Sequence, residues 1–96
     1  MPLDPQEIQQ ILDTCSAALA GHSSEMQGAV LADLLSMWLA GHRVMNDPEA
    51  TFKLREELLD AHMKAVVQLL RPNDEILNER YKTMMHPVPS PKDKPN

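Results

Sequence analysis

Apolar positions along the chain recur at helical spacing in three blocks. In the first, Ile8, Ile11, Leu12, Cys15 and Leu19 stand at i, i+3, i+4, i+7 and i+11, forming one stripe, with Gln9, Gln10, Asp13 and Ser16 on the other side. Asp4-Pro5-Gln6-Glu7 supplies the start: an acceptor for free amides, a proline whose missing N–H costs nothing at the first turn, and an acid near the positive end of the dipole. This predicts a helix over about 5–20, ended by Gly21 in the left-handed region.

Ser23 or Ser24 begins a second helix, over about 24–40, that is apolar around most of its circumference. Met26, Val30, Leu34, Met37 and Trp38 make one flank, and Leu31, Leu35 and Leu39 another. Gly28, Ala29, Ala32, Ser36 and Ala40 make a third side of small residues that lets a neighbouring backbone approach. Such a helix belongs at the centre of an assembly.

Asn46-Asp47-Pro48-Glu49 repeats the start signal and predicts a third helix over about 48–70, closed by Arg71-Pro72. Its stripe is Leu58, Leu59, His62, Val66 and Leu69, with Phe52 upstream, and Lys53, Glu56, Glu57, Asp60 and Lys64 face solvent. Asn73-Asp74-Glu75 reads as another start, for a short helix through Met85. The four prolines from Pro87 onward, without an apolar period, predict a flexible tail over 86–96. The expectation is an all-α protein: one domain over 1–85, a small antiparallel bundle of three main helices and a short fourth, then the tail.

Composition narrows what such a bundle does. Ninety-six residues support one modest core, and a lone cysteine allows no internal disulfide, so a partner subunit is the attractive source of further stability. One cysteine, seven methionines and no basic, apolar leader at the N-terminus suggest a cytoplasmic setting. The longest apolar-rich stretch, Val30 to Ala40, is interrupted by Asp33 and Ser36 and falls short of the roughly 20 residues a membrane span needs. A net charge of −5, scattered basic residues and three aromatic side chains disfavour nucleic acid. A helix-turn-helix reading of the second and third helices is weakened further by the acidic start of the latter and by a turn, Gly41 to Asp47, longer than the usual three or four residues.

The tetrapeptide Leu-Ala-Gly-His occurs twice, at 19–22 and 39–42, and His22, His42 and His62 fall twenty residues apart. A shared metal is excluded for the first two, because a helix of twenty residues separates its ends by roughly 30 Å and coordination bonds are about 2 Å. The repeat instead reads as helix punctuation: glycine supplying a positive φ, and imidazole facing the last carbonyls. His62, inside the third stripe, is expected to be neutral and hydrogen-bonded in a core or interface, and Cys15 to be a small buried hydrophobe. A metal or catalytic centre of His62 with Cys15 or His22 is the competing reading. It lacks support from motif: Leu59, not a glutamate, stands three before His62, and no phosphate loop, nucleophile elbow or HExxH is present.

The chemistry therefore points to a non-catalytic interaction protein without cofactor or metal: a dimeric adaptor, regulator or accessory subunit. The residues expected at its partner or dimer interface are Gly28, Ala32, Leu35, Trp38, Leu39, Leu59, His62, Met63 and Val66. Helices 2 and 3 would pair across a twofold, with helix 1 outside.

Overall fold

The three start signals act as local chemistry requires. In the computed structural model, which describes residues 2–91, Asp4 Oδ1 accepts from the Gln6 amide (2.9 Å), Ser23 Oγ from Met26 (3.1 Å) and Asp47 Oδ1 from Ala50 (2.9 Å). They open α1 (Pro5–Leu19), α2 (Ser24–Ala40) and α3 (Pro48–Arg80), and a single 3₁₀ turn, Lys82–Met84, follows. The described residues are mostly helical and contain no strand.

The third helix departs from expectation. It does not end at Arg71-Pro72 but runs 33 residues, with Pro72 inside it, so the separate fourth helix over 74–85 does not exist. Proline removes one ladder hydrogen bond and crowds the preceding turn, yet tertiary contacts can hold a helix through it. Beyond the proline, Asn73, Leu77, Tyr81 and Met84 line, with Leu12 and Ser16 of α1, a gap of about 160 Å³, and the Tyr81 hydroxyl bonds Asp13 of α1 at the helix end. Asn73, Asp74 and Glu75 are helix-interior residues, not a cap.

At about 1.5 Å per residue α3 is roughly 50 Å long and sets the long axis of a molecule measuring 59 × 37 × 23 Å. It serves as a spine. α2 lies back along its first half, with Trp38 and His62 ring centroids 5.4 Å apart, and Gln9 and Asp13 of α1 bond Tyr81 at its far end. The radius of gyration is 17.2 Å, against about 12.5 Å for a compact chain of this length.

The two Leu-Ala-Gly-His copies do different work. Gly21 has φ +78°, the left-handed conformation that ends α1, whereas Gly41 has φ −69° and ψ −14°, ordinary right-handed backbone. Only the first glycine is needed for its φ. Conversely the second histidine faces the carbonyls: His42 Nδ1–H donates to Trp38 O (2.7 Å). α2 has no basic residue in its last turn, and Arg55 of α3 supplies the charge, donating to Ala40 O (2.9 Å) and His42 O (3.1 Å).

At the other end of α2 a polar side chain makes the joint. Gln27, 5% exposed, donates through Nε2 to Leu19 O (2.8 Å) and His22 O (3.2 Å), while its Oε1 accepts from His86 Nε2–H (2.8 Å). One amide thus ties the α1–α2 turn to the chain after the 3₁₀ turn. The start of the expected tail is therefore anchored at His86, and residues 92–96 lie outside the described part.

Candidate interaction surface

Burial is scarce. Among the described residues twenty-one large apolar side chains are exposed, and Leu19 is the one apolar side chain that is buried. The accessible surface of 8546 Å² exceeds the roughly 5,500 Å² of a folded monomer of this mass by about 3,000 Å². The excess is spread over all three helices: Ile8, Ile11 and Leu12 on α1, Leu31, Leu34 and Met37 on α2, Val67, Leu69 and Leu70 on α3.

Where α2 and α3 meet, the apolar residues converge on an open groove of about 530 Å³. Ala32, Leu35, Ser36, Leu39 and Ala40 form its α2 wall, Phe52 and Leu59 its α3 wall, and Arg55 and Glu56 its charged rim. Small residues on α2 leave the space, and Phe52, 66% exposed, stands over it. Four of the nine residues expected at an interface, Ala32, Leu35, Leu39 and Leu59, therefore share this feature.

The other five are placed differently. Trp38, 45% exposed, sits between the imidazoles of His42 (ring centroids 4.9 Å apart, near edge-on) and His62 (5.4 Å, tilted 42°), so His62 is half-buried at the contact of α2 with α3. Gly28 is exposed, and a Cβ there would meet nothing within 4 Å. Met63 and Val66 are exposed further along α3, Met63 beside Asp60, Lys64 and Val67. Asp60 and Lys64 form the expected solvent-facing ion pair, at 3.1 Å.

Two features of the groove escaped sequence reasoning. Phe52 was assigned to the α3 stripe but not to an interface, and Arg55 carried no mark beyond its charge. The i, i+3, i+7 run of Phe52, Arg55 and Leu59 was the available signal, since it places all three on one line of α3.

A second polar cluster lies between α1 and the end of α3. Tyr81 Oη–H donates to Asp13 Oδ1 (2.6 Å), and Gln9 Nε2 donates to both Tyr81 Oη (2.8 Å) and Asp13 Oδ1 (2.8 Å). The Tyr81 hydroxyl, with Gln9 assisting, holds the Asp13 carboxyl below its ordinary value, and the same hydrogen bond raises the Tyr81 phenol. The arrangement stabilises a charge on Asp13, fixing it as an acceptor in a joint between helices.

Cys15 is exposed, not buried as its place on the α1 stripe implied, because no element covers that part of the stripe. Among the described residues no three His, Cys, Asp or Glu side chains gather into a group able to hold a metal, and no helix is long and apolar enough to cross a membrane. Comparison with protein-family models, with curated proteins and with solved structures finds no match to this chain.

Proposed function

We propose that the chain is a small, non-catalytic protein–protein interaction protein, an adaptor, regulator or accessory subunit whose apolar, methionine-bearing helical surface is its working part. The observation that carries this reading is the inverted burial: twenty-one large apolar side chains are exposed among the described residues while one is buried. Monomers seldom expose contiguous apolar patches beyond a few hundred Å² unless the patch is an interaction or ligand surface. Met26, Met37 and Met63, exposed along α2 and α3, give that surface side chains that adapt to a partner's shape. The acidic balance and scattered cations argue for protein over nucleic acid as the partner. The same reading carries the closed antiparallel bundle, which forms when the exposed stripes are covered, and the cytoplasmic setting. No cofactor or metal has a part in it.

The test is the native mass of the purified chain by light scattering after size exclusion, followed over a dilution series with metal content read on the same peak. Assembly without metal is the expected result. A monomer that folds cooperatively, binds no hydrophobic dye and carries stoichiometric metal overturns the reading and makes His62 and Cys15 the first residues to change.

A further inference from the structure

We propose that the occupant of the α2–α3 groove is a second copy of this chain, seated so that α2 and α3 of both protomers form a four-helix core about a twofold axis, with both Phe52 rings inside it. This rests on the reading of the helical surface as an interaction surface and names what covers it. The first argument is area. The chain exposes about 3,000 Å² more than a folded monomer of its mass, whereas a standard interface takes about 800 Å² from each partner. A deficit of that size belongs to obligate assemblies, whose subunits do not persist folded alone.

The second argument is availability. A chain with Leu19 as the one buried apolar side chain among its described residues needs cover in order to fold, and an identical chain is the partner present at matched amount wherever this one is made. The third is the rim. Arg55 and Glu56 both line the groove, so a twofold axis passing between them brings the acid of each copy toward the base of the other. The face is complementary to itself in charge as well as in shape, with small Ala32 and Ser36 opposite bulky Phe52.

The experiment uses the full chain and two variants, Phe52→Glu in the groove and Val88→Glu outside it. Both positions are exposed in one protomer, so neither substitution disturbs much within a single copy. In a twofold dimer Phe52→Glu places two uncompensated carboxylates in the shared core, and the dissociation constant should rise at least ~100-fold. Sedimentation equilibrium from roughly 1 to 100 μM should give twice the 10.8 kDa of one chain for the wild type and Val88→Glu, and a falling mass for Phe52→Glu.

Should Phe52→Glu lose helix as well as mass, the wild type decides. A thermal midpoint that rises with protein concentration supports coupled folding and pairing, and a concentration-independent midpoint overturns it. A wild-type dimer indifferent to Phe52→Glu also overturns the proposal, since the second copy then sits elsewhere. A wild-type monomer that binds hydrophobic dye overturns self-association while leaving the interaction surface intact for a different protein. A dye-silent monomer removes both.

Discussion

Replacing Gln27 tests whether one buried amide sets the joint between α1, α2 and the chain after the 3₁₀ turn. Both Nε2 hydrogens and the Oε1 of Gln27 are engaged, with Leu19 O, His22 O and His86 Nε2–H. In Gln27→Leu, Leu19 O belongs to a residue that is 9% exposed and loses its side-chain partner, at about 1–2 kcal/mol. Loss of the His86 bond costs about 1 kcal/mol more, and the exposed His22 carbonyl recovers water at little cost. The new leucine returns about 0.5–1 kcal/mol by burying apolar surface in place of an amide. The net expectation is a destabilisation of about 2 kcal/mol, or a fall in Tm of roughly 8–16 °C for a chain of this size.

Gln27→Glu sharpens the same test. It keeps the shape and the acceptor for His86 but turns a lone pair toward two carbonyl oxygens, so at neutral pH it should be less stable than Gln27→Leu. The introduced carboxyl would have a raised pKa in the folded state, because only its protonated form can donate to Leu19 O. Its deficit relative to wild type should therefore shrink as the pH falls through that pKa. Urea unfolding followed by helical circular dichroism at one fixed protein concentration measures all three. A Gln27→Leu variant within about 0.5 kcal/mol of wild type, or a Glu variant more stable than Leu at neutral pH, would refute the assignment.

Three further outcomes follow from single positions. Pro72→Ala should stabilise α3 by about 1–2 kcal/mol in urea unfolding, the roughly 3 kcal/mol interior cost of proline less the unfolded-state freedom that alanine restores. Gly21→Ala should cost about 1 kcal/mol because φ there is +78°, whereas Gly41→Ala should be neutral or slightly stabilising, its Cβ resting 3.5 Å from Trp38 O in ordinary contact. Tyr81 is the one tyrosine, so phenolate absorbance reports it alone: its titration should lie above the ordinary phenol value and drop in Asp13→Asn, which removes the main cause of the rise. The sign differs for the two partners. Tyr81, raised on folding, contributes stability that is present below its unfolded pKa and lost as pH rises through the folded one. Asp13, depressed on folding, contributes stability that is present above its unfolded pKa and lost as pH falls through the folded one.

Local grammar was legible and long-range polar pairing was not. Asp4, Ser23 and Asp47 act within two or three residues of themselves, so their roles and the starts of α1, α2 and α3 can be read from the chain. Pro72 obeys a local rule that α3 overrides: the helix runs through it to Arg80, where the next residue, Tyr81, bonds Asp13 of α1, and nothing near Pro72 announces it. Glycine followed by histidine after a helix permitted two kinds of stop, and the sequence is the same where φ is +78° and where it is −69°. Gln27, His86, Asp13 and Tyr81 lie 59 to 72 residues from their long-range hydrogen-bond partners, in stretches whose only pattern is apolar periodicity. Part of the groove was legible because Ala32, Leu35, Leu39 and Leu59 belong to helical stripes, and Phe52 and Arg55 were missed because they flank the stripe's centre.

The polar joints explain how a chain with so little core holds its helices in definite places. Arg55 fixes the end of α2 to α3 by two bonds, to the Ala40 and His42 carbonyls, Gln27 fixes the start of α2 to α1 and to His86, and Tyr81 fixes α1 to the end of α3. Each acts at a helix end or turn, leaving the apolar faces between them uncovered. Hydrogen bonds are directional and contribute about 1 kcal/mol apiece, so they set angles between elements better than they supply stability. Apolar burial is the reverse, large in sum and indifferent to direction. In this chain the two are separated: polar pins set orientation, and on the proposed pairing the stability comes from what covers the α2 and α3 faces. Breaking a pin should therefore misalign the groove and weaken association, and filling the groove should protect the amides of α2 and α3 from exchange without any new polar contact.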